Sequence, residues 1–386
     1  MKQGMATKLN QEDFRHMRRA LQLAQRGYGR VSPNPMVGAV LVKDNQVIGE
    51  GWHQKTGCAH AEVNAILDAK GKGNRVKNTT LYVTLEPCST TGRTPPCTKA
   101  ILDANIRRVV IACLDPNPAH AGNGIRLLKK EGLEVATGIM ESKALSLNRN
   151  FFHWICQHRP RVTVKAAMTL DGKIATASGQ SKWITGPAAR KHAMKLRYGM
   201  DAMLVGVETV LADDPSLTVR LGASTRPSKK LLRFVLDSKA RTPLNSKLLT
   251  DEWRNWTRIV VSESAPKQRI KDLSANVEVL KSPNKGRIQL PWLMDRMGEE
   301  NLTSLLVEGG GEVNASFLEQ NLAQGIVFYY APKILGGSNA RKAVAGTSAN
   351  SLEEATRLLE VKWRKLGEDL VMQAEINHQT SPIPVA

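Results

Sequence analysis

Residues 79–113 read TTLYVTLEPCSTTGRTPPCTKAILDANIRRVVIAC. The opening "TTLYVTL" has the pattern of a buried strand. "CTKAILDANI" reads as a helix and "RRVVIAC" as a second strand. Between the first strand and the helix lies a proline-bracketed loop with Cys88 and Cys97, two of only five cysteines in 386 residues. This strand–helix–strand alternation predicts an α/β sandwich around a largely parallel sheet.

The flanking sequence extends the pattern in both directions. Residues 11–26 carry Phe14, Met17, Leu21 and Ala24 at helical spacing. "SPNP" at 32–35 signals a turn. "MVGAVLVKDNQVIGEGWH" then reads as a hairpin around Lys43-Asp44-Asn45. "CAHAEVNAIL" stands at 58–67, and residues 60–70 suit a short helix beginning near His60. Downstream, a helix near 122–132, a strand at 133–137 and a helical stretch at 141–156 lead to "QHRPR". There the chain is expected to divide, into domains 1–158 and 159–386. The second domain restarts with "VTVKAAMTLDGKIA", a strand and a turn. Apolar strands recur at 202–207, 231–236, 258–262, 303–307 and 326–331, with helical segments between several of them. It too reads as α/β. The halves share no internal repeat, and the tail after about residue 376 reads as frayed.

A hydrophobic content of 41% and a charged content of 23% are ordinary for a globular protein, and this length suits two cores. The net charge of +20 favours an anionic partner or simply a basic, solvated surface. No long Lys/Arg run marks a nucleic-acid tail. The start has no signal-peptide pattern, and no run approaches 18 apolar residues. Five unevenly spaced cysteines argue against a disulfide framework, so a reducing cytoplasm is the expected home.

His60, Cys88 and Cys97 supply imidazole and thiolate donors of the kind Zn2+ takes, and a catalytic site keeps a fourth position for water. Glu62 lies two residues after His60, within reach of that water without being a ligand. The expected chemistry is hydrolytic deamination of an amino-heterocycle: zinc lowers the pKa of its water toward about 7, and Glu62 carries protons to the ring nitrogen and the leaving ammonia. Taken singly, His-Ala-Glu is uninformative and a pair of loop cysteines can be packed thiols. Cys58 is read as a bystander or a small buried residue, and Cys113 and Cys156 as packing residues.

Together, "HAEVNAI" and "TLEPCSTTGRTPPC" resemble the bifunctional deaminase/reductase family of riboflavin biosynthesis. General cytidine and tRNA deaminases close with Pro-Cys-x-x-Cys, whereas eight residues separate these cysteines. "PNPMVGAV" at 33–40 and "DPNP" at 115–118 fit the same family. The resemblance implies that Asn34 holds the substrate ring; read alone, Asn34 is equally a turn residue. The family usually has His two residues after the first cysteine ligand, where this chain has Thr90.

In the second half, "VKAAMTLDGKIATASGQSKWITG", "ETVLADDPSLTVR" and "LLVEGGGEVNASFLE" complete the resemblance, which runs from about 11 to 376. The last is a strand that meets three glycines and a helix, an arrangement that receives phosphate or is a plain turn. The resemblance implies a cytidine-deaminase-like domain followed by a dihydrofolate-reductase-like domain using NADPH. Ala167, Trp183, Thr209, Asp213, Ser238 and the run Gly310, Gly311, Glu312, Val313, Asn314, Ala315 and Ser316 would line the dinucleotide site. Ser181, Arg197, Leu217, Arg220 and Glu308 would face substrate, with Lys165 as a further polar contact. Residue by residue, other readings stand: core packing for Trp183, a turn for Asp213-Asp214 and Ser238, surface ion pairs for the arginines. The implied ligands are phosphorylated ribosylaminopyrimidines, with no nucleic acid and no membrane, on a homo-oligomer. Two rivals are a nucleic-acid deaminase with an unrelated second domain and a non-enzymatic nucleotide sensor with structural zinc. The cysteine spacing opposes the first; Glu62 and the lack of a fourth His/Cys ligand at suitable spacing oppose the second.

Overall fold

Asn10 starts the first helix, Gln11–Ala24, by a reciprocal cap: its side chain accepts from the Asp13 N–H, and the Asp13 carboxylate accepts from the Asn10 N–H, both at 2.9 Å. The computed structural model describes residues 9–91, 95–117, 120–221 and 229–378. Residues 92–94 of the cysteine loop, Pro118 of "DPNP" and residues 379–386 of the tail lie outside the described residues. The chain divides into two units, Met1–Gln157 and His158–Ala386.

The first unit holds strands β1 (Gly38–Lys43), β2 (Gln46–Trp52), β3 (Thr80–Val83), β4 (Arg108–Ile111) and β5 (Glu134–Thr137), in the order β2-β1-β3-β4-β5. Asp44 and Asn45, at φ 47° and 62°, form the hairpin turn between β1 and β2. Parallel pairing is confined to β3, β4 and β5, because the hairpin brings β1 and β2 in antiparallel. Side chains alternate between two helical layers. Val40 and Val42 meet Met17 and Leu21 of the first helix; Ala39 and Leu41 meet Ala61 and Ala65 of the helix Ala61–Gly71. That second helix lies close on β2: a Cβ on Gly51 would stand 2.3 Å from both Ala61 O and Ala65 N.

The second unit is built on β6 (Arg161–Thr169), β7 (Lys173–Ala175), β8 (Ala202–Gly206), β9 (Leu232–Leu236), β10 (Thr257–Ser262), β11 (Glu278–Ser282), β12 (Ser304–Val307), β13 (Gly325–Ala331), β14 (Arg341–Lys342), β15 (Leu358–Leu366) and β16 (Asp369–Ile376). Nine of them form one sheet in the order β11-β10-β9-β8-β12-β6-β13-β16-β15. Strands β11 to β13 run parallel, and the hairpin β15–β16 closes one edge antiparallel. β12 inserts between β8 and β6, which makes a switch in strand order. Ligands of open α/β sheets bind beyond the carboxyl ends of strands at such a switch. Val164, Leu204, Phe234, Leu305 and Phe317 pack on one face, and Met203, Val235, Ile259 and Leu306 on the other. The sequence reading found neither β11 nor the β15–β16 hairpin.

Candidate active sites

In the first unit, His60 occupies the N-cap position of Ala61–Gly71 in extended backbone, and its side chain makes no capping bond. The ring is therefore free to meet the cysteine loop. Its Nδ1 lies 3.1 Å from Cys97 Sγ and 3.6 Å from Cys88 Sγ. Cys97 opens the helix Cys97–Asp103, and its N–H donates to Cys88 Sγ at 3.3 Å. The three donor atoms lie within 4.8 Å of one another. A tetrahedral zinc site with ordinary bond lengths spaces such donors about 3.6–3.8 Å apart. The donors thus fit zinc in kind and in spacing. Hydrogen bonds from Cys97, and then from His60, hold the Cys88 thiol at about 4, so it is a thiolate at neutral pH. Its hydrogen bond with Cys88, with burial added, pushes Cys97 up, so one proton is held between the sulfurs for a metal to displace.

Glu62 projects from the first turn of the same helix and is buried. Its Oε2 has no hydrogen-bond partner among the described residues. Burial, reinforced by the Cys88 charge, pushes the carboxyl up to about 7. An orphaned carboxylate oxygen beside three metal-type donors is equipped to exchange protons rather than to close a structural site.

Asn34 turns on its backbone, with its N–H on Val31 O at 2.9 Å, but its side chain reaches elsewhere. Its Nδ2 lies 3.0 Å from His53 Nε2, and His53 Nδ1 lies 3.3 Å from Ala59 O. The His53 ring meets His60 edge-on at 5.3 Å. The backbone carbonyl fixes Nδ1 as the donor, so Nε2 accepts from Asn34 and the amide orientation is set. Asn148 fastens the same loop, accepting from Met36 N–H at 2.8 Å and donating to Met36 O at 2.9 Å. Sequence reading missed both residues; the only signal for His53 was its place at the end of the hairpin, shortly before His60. Thr90 is exposed and lies 3.4 Å from His120 Nδ1. Cys58 is exposed, and Cys113 is buried with its thiol on Thr84 O.

In the second unit, Glu308 follows β12 at the switch. Arg197 grips it through Nε on Oε1 at 2.7 Å and Nη2 on Oε2 at 2.9 Å, and Lys165 Nζ lies 3.2 Å from Oε2. Burial alone would push this carboxyl up, but Arg197 and then Lys165 hold it well below the ordinary range. Ser181 Oγ donates to Asp213 Oδ1 at 3.0 Å. Arg197 Nη1 also lies 3.4 Å from Thr218 O, beside the buried Leu217, whose φ is 48°.

Two family profiles match. "RibD C-terminal domain" covers residues 160–372, and "Cytidine and deoxycytidylate deaminase zinc-binding region" covers residues 10–113. Riboflavin biosynthesis protein RibD of Aquifex aeolicus is 42% identical over 93% of this chain and 97% of its own. RibD of Actinobacillus pleuropneumoniae is 41% identical over 93% and 94%. The chain belongs to the RibD family. It is a bifunctional deaminase and reductase of riboflavin biosynthesis, with a zinc-binding deaminase domain and a reductase domain. Among solved structures, RibD of Acinetobacter baumannii aligns with a TM-score of 0.83 at 35% identity, over 95% of this chain and 99% of that one. The diaminohydroxyphosphoribosylaminopyrimidine deaminase/5-amino-6-(5-phosphoribosylamino)uracil reductase of Thermotoga maritima aligns with 0.81 at 34%, with the same coverage. The α/β class, with a deaminase-like and a dihydrofolate-reductase-like domain, agrees with these relatives.

The remaining residues picked from the sequence fall into distinct settings in this RibD-family fold. Trp183 is 66% exposed, so it is not core; the Arg190 guanidinium stacks 4.7 Å from its ring centre. Arg220 is exposed, whereas the fork of Arg197 is occupied by Glu308. Asp214 ends the helix Val207–Asp213 at φ 40° and accepts from Lys247 N–H, a turn role. Ser238 offers its carbonyl to Ser262 Oγ at 2.8 Å. Ala167 lies on β6 opposite Tyr329, and Thr209 on the helix Val207–Asp213. Of the glycine run, Gly310 caps the helix Gly311–Glu319, and a Cβ there would meet nothing within 4 Å among the described residues. Glu312 and Ser316 lie toward solvent, with Ser316 Oγ on Glu312 O. Val313 fills the space a Cβ on Gly206 or Gly309 would need; Asn314 and Ala315 are buried, with Asn314 Nδ2 on Ala343 O.

Proposed function

We propose that residues 1–158 deaminate 2,5-diamino-6-(5-phosphoribosylamino)pyrimidin-4-one and that residues 159–386 reduce the ribosyl group of 5-amino-6-(5-phosphoribosylamino)uracil to ribityl with NADPH. The observation that carries the first half is the Oε2 of Glu62, without a partner among the described residues, beside His60, Cys88 and Cys97. Those three residues hold zinc, which when bound makes hydroxide available near neutral pH. Glu62 Oε2 takes one proton from the water as its oxygen bonds to the ring carbon and gives it to the ring nitrogen; it then carries the second proton, from the new hydroxyl, to the amino group as the C–N bond breaks, leaving a carbonyl and ammonia. Asn34, oriented by His53, holds the ring.

In the reductase half NADPH supplies a hydride to C1′ of the opened sugar. The chain binds and orients. Glu308, kept ionised by Arg197 and Lys165, accepts hydrogen bonds from sugar hydroxyls, and the exposed Arg220 offers its fork to the phosphate. Gly310 leaves room at a helix N-terminus for the dinucleotide phosphates, and Trp183 offers a flat exposed face.

Among the described residues no helix is long and apolar enough to cross a membrane, and the proposed home is the cytoplasm. Self-association is also proposed. The edge strand β15 supports it, with Leu359, Val361 and Trp363 exposed at alternate positions. Incubation with the diaminopyrimidine phosphate and NADPH tests the whole reading. Ammonia should appear first and nicotinamide absorbance should then fall. Stoichiometric zinc without ammonia would overturn the deaminase half.

A further inference from the structure

Glu86 is buried two residues before Cys88, and its carboxylate holds the loop that runs from Asp115 into the first turn of the helix Asn123–Lys130. It accepts from the N–H groups of Asp115 at 3.2 Å, Gly122 and Gly124 at 3.0 Å, and Ile125 at 3.3 Å. Both ends of that loop are thereby tied to the strand that delivers the first cysteine. The attachment is close: a Cβ on Gly124 would stand 2.2 Å from Pro87 O. Within the loop the His120 backbone is satisfied, its N–H on Asn117 O and its carbonyl taken by Asn123 N–H, both at 2.8 Å. The ring then reaches Thr90 Oγ1 through Nδ1 at 3.4 Å. With Nδ1 on the threonine, Nε2 lies on the opposite edge of the ring.

We propose that His120 is a substrate-positioning residue of the deaminase site, donating from Nε2 to the sugar-phosphate arm. It brings an imidazole from the following loop to Thr90, two residues after Cys88. The inference rests on the deaminase reading above. On that reading Glu62 serves the reacting carbon and Asn34 the ring, which leaves the exposed Thr90–His120 pair for the arm that projects outward. An imidazole N–H on a phosphate oxygen is a charge-assisted bond.

The test uses the full chain loaded with zinc. His120→Ala should raise KM for the diaminopyrimidine phosphate about ten-fold while kcat stays within about two-fold, with zinc content and reductase rate unchanged. Adding Thr90→His to that variant should restore KM, because it returns an imidazole to the same place. A readout independent of turnover is the imidazole proton resonance of His120 in the unmodified chain, assigned by its loss in His120→Gln. It should move on adding the deaminated phosphorylated product and stay still with the dephosphorylated one. An unchanged KM in His120→Ala, a raised KM that Thr90→His leaves raised, or an unmoved resonance overturns the inference. A parent chain that releases no ammonia overturns the deaminase reading instead, so the two failures are distinct.

Discussion

Glu62 and Glu308 are both buried carboxyls, yet their surroundings drive them in opposite directions. Glu62 is raised first by its burial and then by the Cys88 charge, and one of its oxygens has no partner among the described residues, so it holds a proton easily. Glu62→Gln should keep stoichiometric zinc by elemental analysis and lose roughly 10²–10⁴ of the ammonia-release rate, the usual share of a general acid–base group. Glu308 is clamped by two cations, and breaking such a buried set costs roughly 3–5 kcal/mol. Glu308→Gln should therefore melt at a clearly lower temperature than the parent. Because the folded carboxyl ionises below its unfolded value of about 4.3, its contribution is complete above that pH and drains away as the pH falls further. The variant lacks this titration and should show a flatter loss of stability in acid, read by denaturant melts between pH 5 and pH 2. At this scale the cluster of His60, Cys88 and Cys97 was legible because residue type and order carry its chemistry. His53 and Asn148 were not, because each acts only through what it touches across the fold. Arg197 stood out in the sequence, but its commitment to Glu308 did not.

Among elements, the helix Ala61–Gly71 matters most, since it carries His60 at its cap and Glu62 in its first turn. Its distance from β2 is set by Gly51. Gly51→Ala would force helix and strand apart, at a cost of about 1–3 kcal/mol for overpacking. The expected result is a lower melting temperature together with weaker zinc retention against a chelator; a variant with parental zinc retention would contradict it. Strands with a one-sided or fully buried pattern, such as β3, β4, β8 and β12, were plain in the sequence. The hairpin β15–β16 was not. Leu359, Val361 and Trp363 of β15 do alternate with Glu360, Lys362 and Arg364, but on an exposed edge strand rather than against a core, so the pattern stood without the long buried run that marked the other strands. The tight turn at Gly367, φ 67°, was the remaining signal.

For the whole molecule, two units with separate cores and separate chemistry predict separable losses. Removing zinc with a chelator should abolish ammonia release and leave NADPH oxidation on the deaminated substrate intact. Restoring zinc should restore the first activity alone. A parallel loss of both would contradict the assignment of one activity to each unit.

The trio Lys165, Glu308 and Arg197 sums to one unit of positive charge, with side chains only 9–16% exposed. Bulk ions screen exposed charges over about 10 Å at 0.1 M but penetrate poorly to buried ones. The attraction of the reductase unit for an anionic ligand should therefore have two parts. Its outer part, from surface lysines and arginines, should fade as salt is added. Its inner part should persist, so that affinity plotted against ionic strength falls and then levels off.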